Sequence, residues 1–307
     1  MACPRFSIVI ATYRRPRQLE RCLDAMTRLD YPLELFEVVV VSDELNPVSE
    51  EIVGRYAASI PVVLISQDRG GPARARNTGA ANSGGQFLLF LDDDCCPQAG
   101  WLRHWEAHAG SDPNCAAAGR TENDLRANVF SCASHALVQF VENYFRPGRS
   151  GRPPFLASNN LCVPAERFRS IGGFSTKFSR AAAEDRDFCD RWCASGWPLG
   201  RTDLPTVLHA HELTLASFWR QHWNYGTGAF QLRLERRSRD QSSQIEGPLF
   251  YLGIIGSPWS NERAPRALVL SLLVCLAQVA NALGFIAQWR QNREEKQSDA
   301  SKVHEVR

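Results

Sequence analysis

A chain of 307 residues with 44% hydrophobic content buries a sizeable core, as one large domain or two small ones. Its formal net charge of +2, with Lys and Arg spread along the chain, disfavours a nucleic-acid partner, although the C-terminal third is locally basic. Ten irregularly spaced cysteines, including the adjacent Cys95 and Cys96, exclude a disulfide framework, and Cys189 and Cys193 have no second pair to complete a zinc site.

Reduced thiols place the expected location in the cytoplasm, and the lack of an apolar signal core before Phe6 argues against secretion.

In chain order, Phe6–Ala11 (FSIVIA) reads as a β-branched strand that breaks at Thr12 and Tyr13, followed by an amphipathic helix over Pro16–Leu29. Glu37–Val41 (EVVVV) is a second buried strand, ending at Ser42, Asp43 and Glu44. A helix over Ser49–Ala58, a strand over Val62–Ile65 and a helix over Pro72–Ser83 follow. Strands alternating with helices mean βαβ units and a parallel sheet. The fourth strand, Phe87–Leu91, stops on Asp92, Asp93 and Asp94. In open α/β sheets, ligands bind beyond the carboxyl ends of the strands. Three carboxylates there repel one another unless a cation joins them, and a hard divalent ion with its phosphate ligands fits; a solvated acidic turn is the plainer alternative.

The set SIVIATYRRPRQLERCLDAM, VVVVSDE, GGPARARNTGAANSGGQFLLFLDDD, SNNLCVPAERFRSIGGF, Glu184-Asp185 and LHAHELTLASFWRQHWNYGTGA resembles family 2 glycosyltransferases over roughly residues 5–230. The resemblance implies a GT-A fold: a Rossmann-like, mostly parallel sheet flanked by helices, here with a C-terminal hydrophobic helix. Residues 1–265 would form the glycosyltransferase domain, with 1–97 its nucleotide-binding half and 98–230 its acceptor half. One departure is that the second strand ends Ser42-Asp43-Glu44, where the family has an acidic run and Gly-Ser.

The resemblance implies inverting transfer of one sugar from a nucleoside-diphosphate sugar, UDP favoured, to a glycan, lipid-linked or small-molecule acceptor. Thr12, Tyr13 and Asp43 fall where the family holds the nucleoside; a cap for the next helix is the plainer alternative for Asp43. Arg74 and Arg76 lie about 200° apart on a helix, and Arg76 with Asn77 matches the donor-approaching position. Gly70-Gly71-Pro72 opens that helix at an end suited to phosphate. Asp93 takes a ribose or metal contact. The metal set is Asp94, Asp92 and His209, for Mg2+ or Mn2+. His209 and His211 alternate on a strand, so only one reaches the ion, with His211 the fallback. Asp185 is the base and Glu184 its partner, although acids in a first helical turn also suit the dipole. Asn159, Asn160 and Trp223 fall on the acceptor side. Gln221-His222-Trp223 is not the motif of the processive synthases, which implies single addition.

Elsewhere, Trp101–Ala109 and Val129–Phe145 read as helices, and Ala116–Arg120 and Phe155–Val163 as strands. Pro147–Pro154 reads as a flexible loop and Ser175–Ala183 as a segment closing over the donor. The apolar stretch Ala267–Trp289, within the hydrophobic helix 266–290, has about the ~20 residues a bilayer span needs. Its polar residues Ser271, Gln278, Asn281 and Gln288 fall on one stripe. It reads as a span, an interfacial helix at the inner face of the cell membrane, or a helix packed on protein; membrane association is favoured. The charged tail 291–307 is expected to be flexible. A sugar-nucleotide pyrophosphorylase is disfavoured because ATYRRP has no glycine, and an inactive binding module because Asp94 and Asp185 are intact.

Overall fold

The computed structural model of the protein describes residues 4–146, 154–178, 182–241 and 246–305. The nucleotide-side strands and helices form where the apolar runs predict them: β1 Phe6–Thr12, α1 Pro16–Met26, β2 Phe36–Ser42, α2 Pro47–Tyr56, β3 Val62–Ser66, α3 Pro72–Ala81 and β4 Phe87–Asp92. Prolines at the first helical position start α1, α2 and α3, because a missing N–H costs nothing there. The chain continues through β5 Cys95–Pro97, α4 Trp101–Ser111, β6 Ala116–Asn123, α5 Val129–Tyr144, β7 Asn160–Pro164 and α6 Ala165–Ser170. It closes with α7 Glu184–Ala194, β8 Leu199–His209, α8 Leu215–Ser238, α9 Pro248–Gly256 and α10 Ala264–Glu305. The expected strand over Phe155–Val163 starts only at Asn160, and the expected 147–154 loop and 175–183 segment fall partly outside the described residues.

One mixed sheet runs in the order β3-β2-β1-β4-β7-β6-β8-β5. Its first four strands are parallel and β7 turns antiparallel beside β4. Register pairs Thr12 with Ser42 and Ala11 with Asp92, so the polar ends of β1, β2 and β4 share one edge. The core beneath is dry: Ile8, Ile10, Val38, Val40, Leu89 and Leu91 are fully buried.

Two compact units divide the chain: residues 4–126, 141–178 and 184–212 in the first, and 127–140, 182–183 and 213–305 in the second. The expected glycosyltransferase domain over 1–265 includes residues of both units. The 213–230 segment belongs with α10, because its helix is built to pack there. In the second unit, a Cβ on Gly226 of α8 would meet the Asn281 carbonyl oxygen at 1.9 Å, and one on Gly284 of α10 the Trp223 carbonyl oxygen at 2.1 Å. Backbone therefore lies on backbone. The polar stripe faces protein: Ser271 donates to Ile255 O and accepts from Trp259 Nε1. The opposite stripe, Leu268, Leu272, Val279, Leu283 and Ile286, is exposed. Over Ala264–Glu295 the helix is long and apolar enough to cross a membrane by length and composition. It also continues to Glu305, where a flexible tail was expected; Gln, Arg, Glu, Lys and Ala are good helix formers.

In the first unit Asn160 ties three elements together. Its Oδ1 accepts from Trp101 Nε1 at 2.9 Å, and its Nδ2 donates to the carbonyls of Arg120 at 3.0 Å and Pro205 at 2.9 Å. It pairs with Leu91, one residue before Asp92. Asn160→Ala strands a buried indole N–H, and thermal unfolding should register a loss of about 2–4 kcal/mol; an unchanged melting temperature contradicts this role.

Candidate active site

The three aspartates at the end of β4 are each given a different partner. Asp92 accepts from Arg76 Nη2 at 2.7 Å. Asp93 accepts from Thr12 Oγ1 at 2.7 Å and from Arg15 Nη1 at 3.1 Å. Asp94 takes Arg15 Nη1 at 3.1 Å on Oδ2, with His211 Nδ1 at 3.3 Å on the same oxygen and His209 Nε2 at 3.1 Å from Oδ1. Burial, reinforced by the neighbouring Asp94 charge, pushes Asp93 above the usual carboxylate range, against the pull of Arg15. Burial acts on Asp94 in the same direction, but His209 and His211 beside it win and hold it low. Burial lowers His209, and the Asp94 carboxylate more than reverses that.

Both histidines reach Asp94, which corrects the expected alternation. Strand β8 ends at His209, opposite Cys95 in an antiparallel pair. Ala210 then donates its N–H to Asp94 O at 2.9 Å, so the chain turns back and His211 follows. Period-two alternation holds only while the strand continues.

Asp94 Oδ1 and His209 Nε2 are buried and close but make no well-formed hydrogen bond. A carboxylate and an imidazole in that state fit a divalent cation such as Mn2+ or Mg2+. Cys95 lies within the same ligand cluster, yet burial holds its thiol well above its usual range, protonated and unsuited to a hard ion. Of the expected metal set, Asp94 and His209 lie together with His211 beside them, whereas Asp92 is drawn toward Arg76.

Arg76 connects this edge to the second acid pair. Its Nη1 donates to Glu184 Oε1 at 3.1 Å while Nη2 holds Asp92. Glu184 and Asp185 open α7, and Asp185 Oδ1 accepts from the N–H of Arg186 at 2.8 Å. Burial and the adjacent Glu184 charge push Asp185 up to about 7, against Arg76 and Arg186. Asp92, Asp93, Asp94, Glu184 and Asp185 thus share one edge with the guanidiniums of Arg15, Arg76 and Arg186 and the imidazoles of His209 and His211.

Several expected donor contacts are engaged in the fold itself. Asn77 donates to Phe174 O at 2.7 Å and accepts from Phe174 N at 2.9 Å, clamping the Gly172-Gly173 turn. Gly173 has φ +67°, and a Cβ there would meet Asn77 Oδ1 at 2.5 Å. Asp43 caps neither the helix that follows it nor an open pocket. It accepts from the N–H groups of Gly70 and Gly71 at 2.8 Å each and from Gln67 Nε2 at 2.8 Å. The anion-binding start of α3 is therefore occupied by an internal carboxylate. Thr12 holds Asp93. Tyr13 presents a half-buried ring with Arg69 at 4.8 Å and Arg14 at 5.2 Å from its centroid. Asn160 is structural, Asn159 accepts a long bond from Thr121 Oγ1 at 3.4 Å, and Trp223 lies on α8 in the second unit. Arg15 was not foreseen; its signal is a cation three residues past the end of β1, at the edge where the aspartates end β4.

Asp185 gives a pH test of stability. A folded value near 7 against an unfolded value of about 3.9 means the folded chain holds the extra proton between those limits. Its burial therefore destabilises progressively as pH rises through that window. Asp185→Asn should raise the melting temperature at pH 8 and change it little at pH 4; equal effects at both pH values contradict a buried, shifted acid.

The family model described as glycosyl transferase family 2 matches residues 7–155. Glycosyltransferase AglE of Haloferax volcanii is 35% identical over 101 residues, 32% of this chain and 33% of that protein. The pre-mycofactocin glycosyltransferase of Mycobacterium tuberculosis is 27% identical over 257 residues, 81% of this chain and 53% of its own. The chain thus spans between a third and about half the length of these two relatives. In fold it is similar to the mannosyltransferase PcManGT from Pyrobaculum calidifontis in complex with GDP-Man and Mn2+, with a TM-score of 0.59 at 16% identity, covering 92% of this chain and 88% of that one.

Proposed function

We propose that the chain, whose residues 7–155 match the glycosyl transferase family 2 model, moves a single sugar, with inversion, from a nucleoside-diphosphate sugar to the hydroxyl of a glycan, lipid-linked or small-molecule acceptor. The observation that carries the reading is the linkage, through Arg76, of the Asp92–Asp94 cluster to the Glu184–Asp185 pair. Neutralising the departing diphosphate needs acids that hold a cation, and activating the acceptor hydroxyl needs a separate acid placed to take its proton. Asp94 and His209 would hold Mg2+ or Mn2+, which supplies charge neutralisation for the departing diphosphate. The mannosyltransferase of similar fold was solved with a nucleotide sugar and Mn2+, which supports a cation here. A uridine nucleotide is taken as the first donor to try.

Asp185 takes the proton of the acceptor hydroxyl. A base of pKa near 7 is matched to neutral pH, since it is substantially ionised yet still basic. Glu184, fixed by Arg76, positions it. Hydrolysis of a panel of sugar nucleotides with added Mn2+ tests the function directly. Turnover of at least one donor supports it; donor binding with no turnover under any condition indicates a binding module and overturns it. Asp185→Asn should cut kcat by about 10²–10⁴-fold with donor affinity nearly kept, whereas Asp94→Asn should weaken Mn2+ and donor together. Retention of more than a tenth of kcat by Asp185→Asn makes it a helix-start acid only.

We further propose that the second unit rests on the cytoplasmic face of a membrane through the exposed stripe of α10. Trp259 and Trp289 flank it, and Arg263, Arg290 and Arg293 stand exposed at its ends. One face of α10 packs on α8, which carries Arg220, Arg233, Arg236 and Arg237, so a helix lying in the interface fits better than a lone span. Leu272→Glu with Leu283→Glu should abolish co-sedimentation with vesicles containing anionic lipid; binding by the double variant equal to the parent's sinks the idea.

A further inference from the structure

Arg15 reaches into the carboxylate cluster from outside. Its side chain is 44% exposed, whereas those of Asp93 and Asp94 are 4% and 5% exposed. Arg14 before it adopts φ +55°, a left-handed turn uncommon for a side-chain-bearing residue. That turn directs Arg15, the residue preceding α1, back across the edge, where it makes no cap of its own. One nitrogen, Nη1, is shared between Asp93 Oδ1 and Asp94 Oδ2 at 3.1 Å each.

Asp94 is therefore contested. Its Oδ1 faces His209 and its Oδ2 carries both Arg15 and His211. A dication accepted by Asp94 would stand beside a guanidinium already on the same carboxylate, and two positive centres at that range repel. We propose that Arg15 is an internal counter-ion which a divalent cation must displace from Asp93 and Asp94, and that the displaced guanidinium then binds the donor diphosphate. Two features fit displacement: the exposed stem leaves Arg15 free to swing outward, and its planar fork suits phosphate oxygens. Asp93 then keeps Thr12 as its hydrogen-bond donor.

This inference rests on the cation-assisted donor site proposed above. It adds a consequence: the cation alone binds against Arg15, while a diphosphate gives the guanidinium a new partner. Cation and diphosphate therefore favour each other, by the same factor in both directions. An ordinary ion pair that merely holds the strand end makes the opposite prediction for the cation, because removing it loosens the ligands.

The test is calorimetry on the full chain after EDTA treatment and dialysis, comparing the parent, Arg15→Gln and Arg15→Lys. Each is titrated with Mn2+ alone and with preformed Mn2+–pyrophosphate. Arg15→Gln should bind Mn2+ about tenfold more tightly than the parent and Mn2+–pyrophosphate about tenfold more weakly. Arg15→Lys, a point charge without the fork, should fall between them on both ligands, and it carries the test should the Gln variant fail to fold. Mn2+ affinity that is equal or weaker in the variants overturns the inference and leaves the proposed function standing. A parent that binds no Mn2+ in either form overturns both.

Discussion

Carboxylates buried at the end of a hydrophobic strand are the constraint from which the rest of the first unit follows. Asp93 and Asp94 sit almost wholly out of water, where an unpaired charge costs several kcal/mol. Each nearby element supplies an answer to that cost. The end of β1 and the turn after it supply Thr12 and Arg15, α3 supplies Arg76, and the end of β8 and the residues after it supply His209 and His211. Asp94 Oδ1 and His209 Nε2 remain buried without a well-formed hydrogen bond, a pair whose chemistry suits a divalent cation.

Arg76 gives the site its rigidity. It is buried, it spans from Asp92 to Glu184, and its guanidinium lies 5.8 Å from the centroid of Phe174. Phe174 in turn is clamped by Asn77 and packs on Phe90, the middle of β4, at 5.0 Å between ring centroids. The aromatic core thereby fixes how far the two acid groups stand apart. Substitutions at Phe90 or Phe174 would act on the chemistry through geometry, since neither side chain carries a reactive group.

The fold was legible because its signals are local. Apolar runs of strand length, prolines at helix starts and acids at one strand end specify β1 to β4 without reference to the rest of the chain. Asp94, Glu184 and Asp185 were each legible as candidates for the same reason, each lying at an element boundary with a clear pattern. What the sequence hid was pairing between distant segments. Asp43 and Asn77 look available in one dimension, but Gly70, Gly71 and Phe174 take up their hydrogen bonds. Asn160, expected on a strand at the acceptor side, is a buried tie between sheet and helix. His211 was discounted by strand alternation because the sequence carries no mark of where β8 ends. The close contact of α8 with α10 is likewise hidden, because Gly226 and Gly284, in separate helices, report it only in three dimensions.

The most direct measurement of the central claim is magnetic resonance on Mn2+ bound to the protein with its histidines labelled with 15N. Coordination by Asp94 and His209 at the edge of the sheet predicts a coupling between the manganese electrons and an imidazole nitrogen, lost or shifted in His209→Ala. Bound Mn2+ whose spectrum carries no nitrogen coupling would contradict the account.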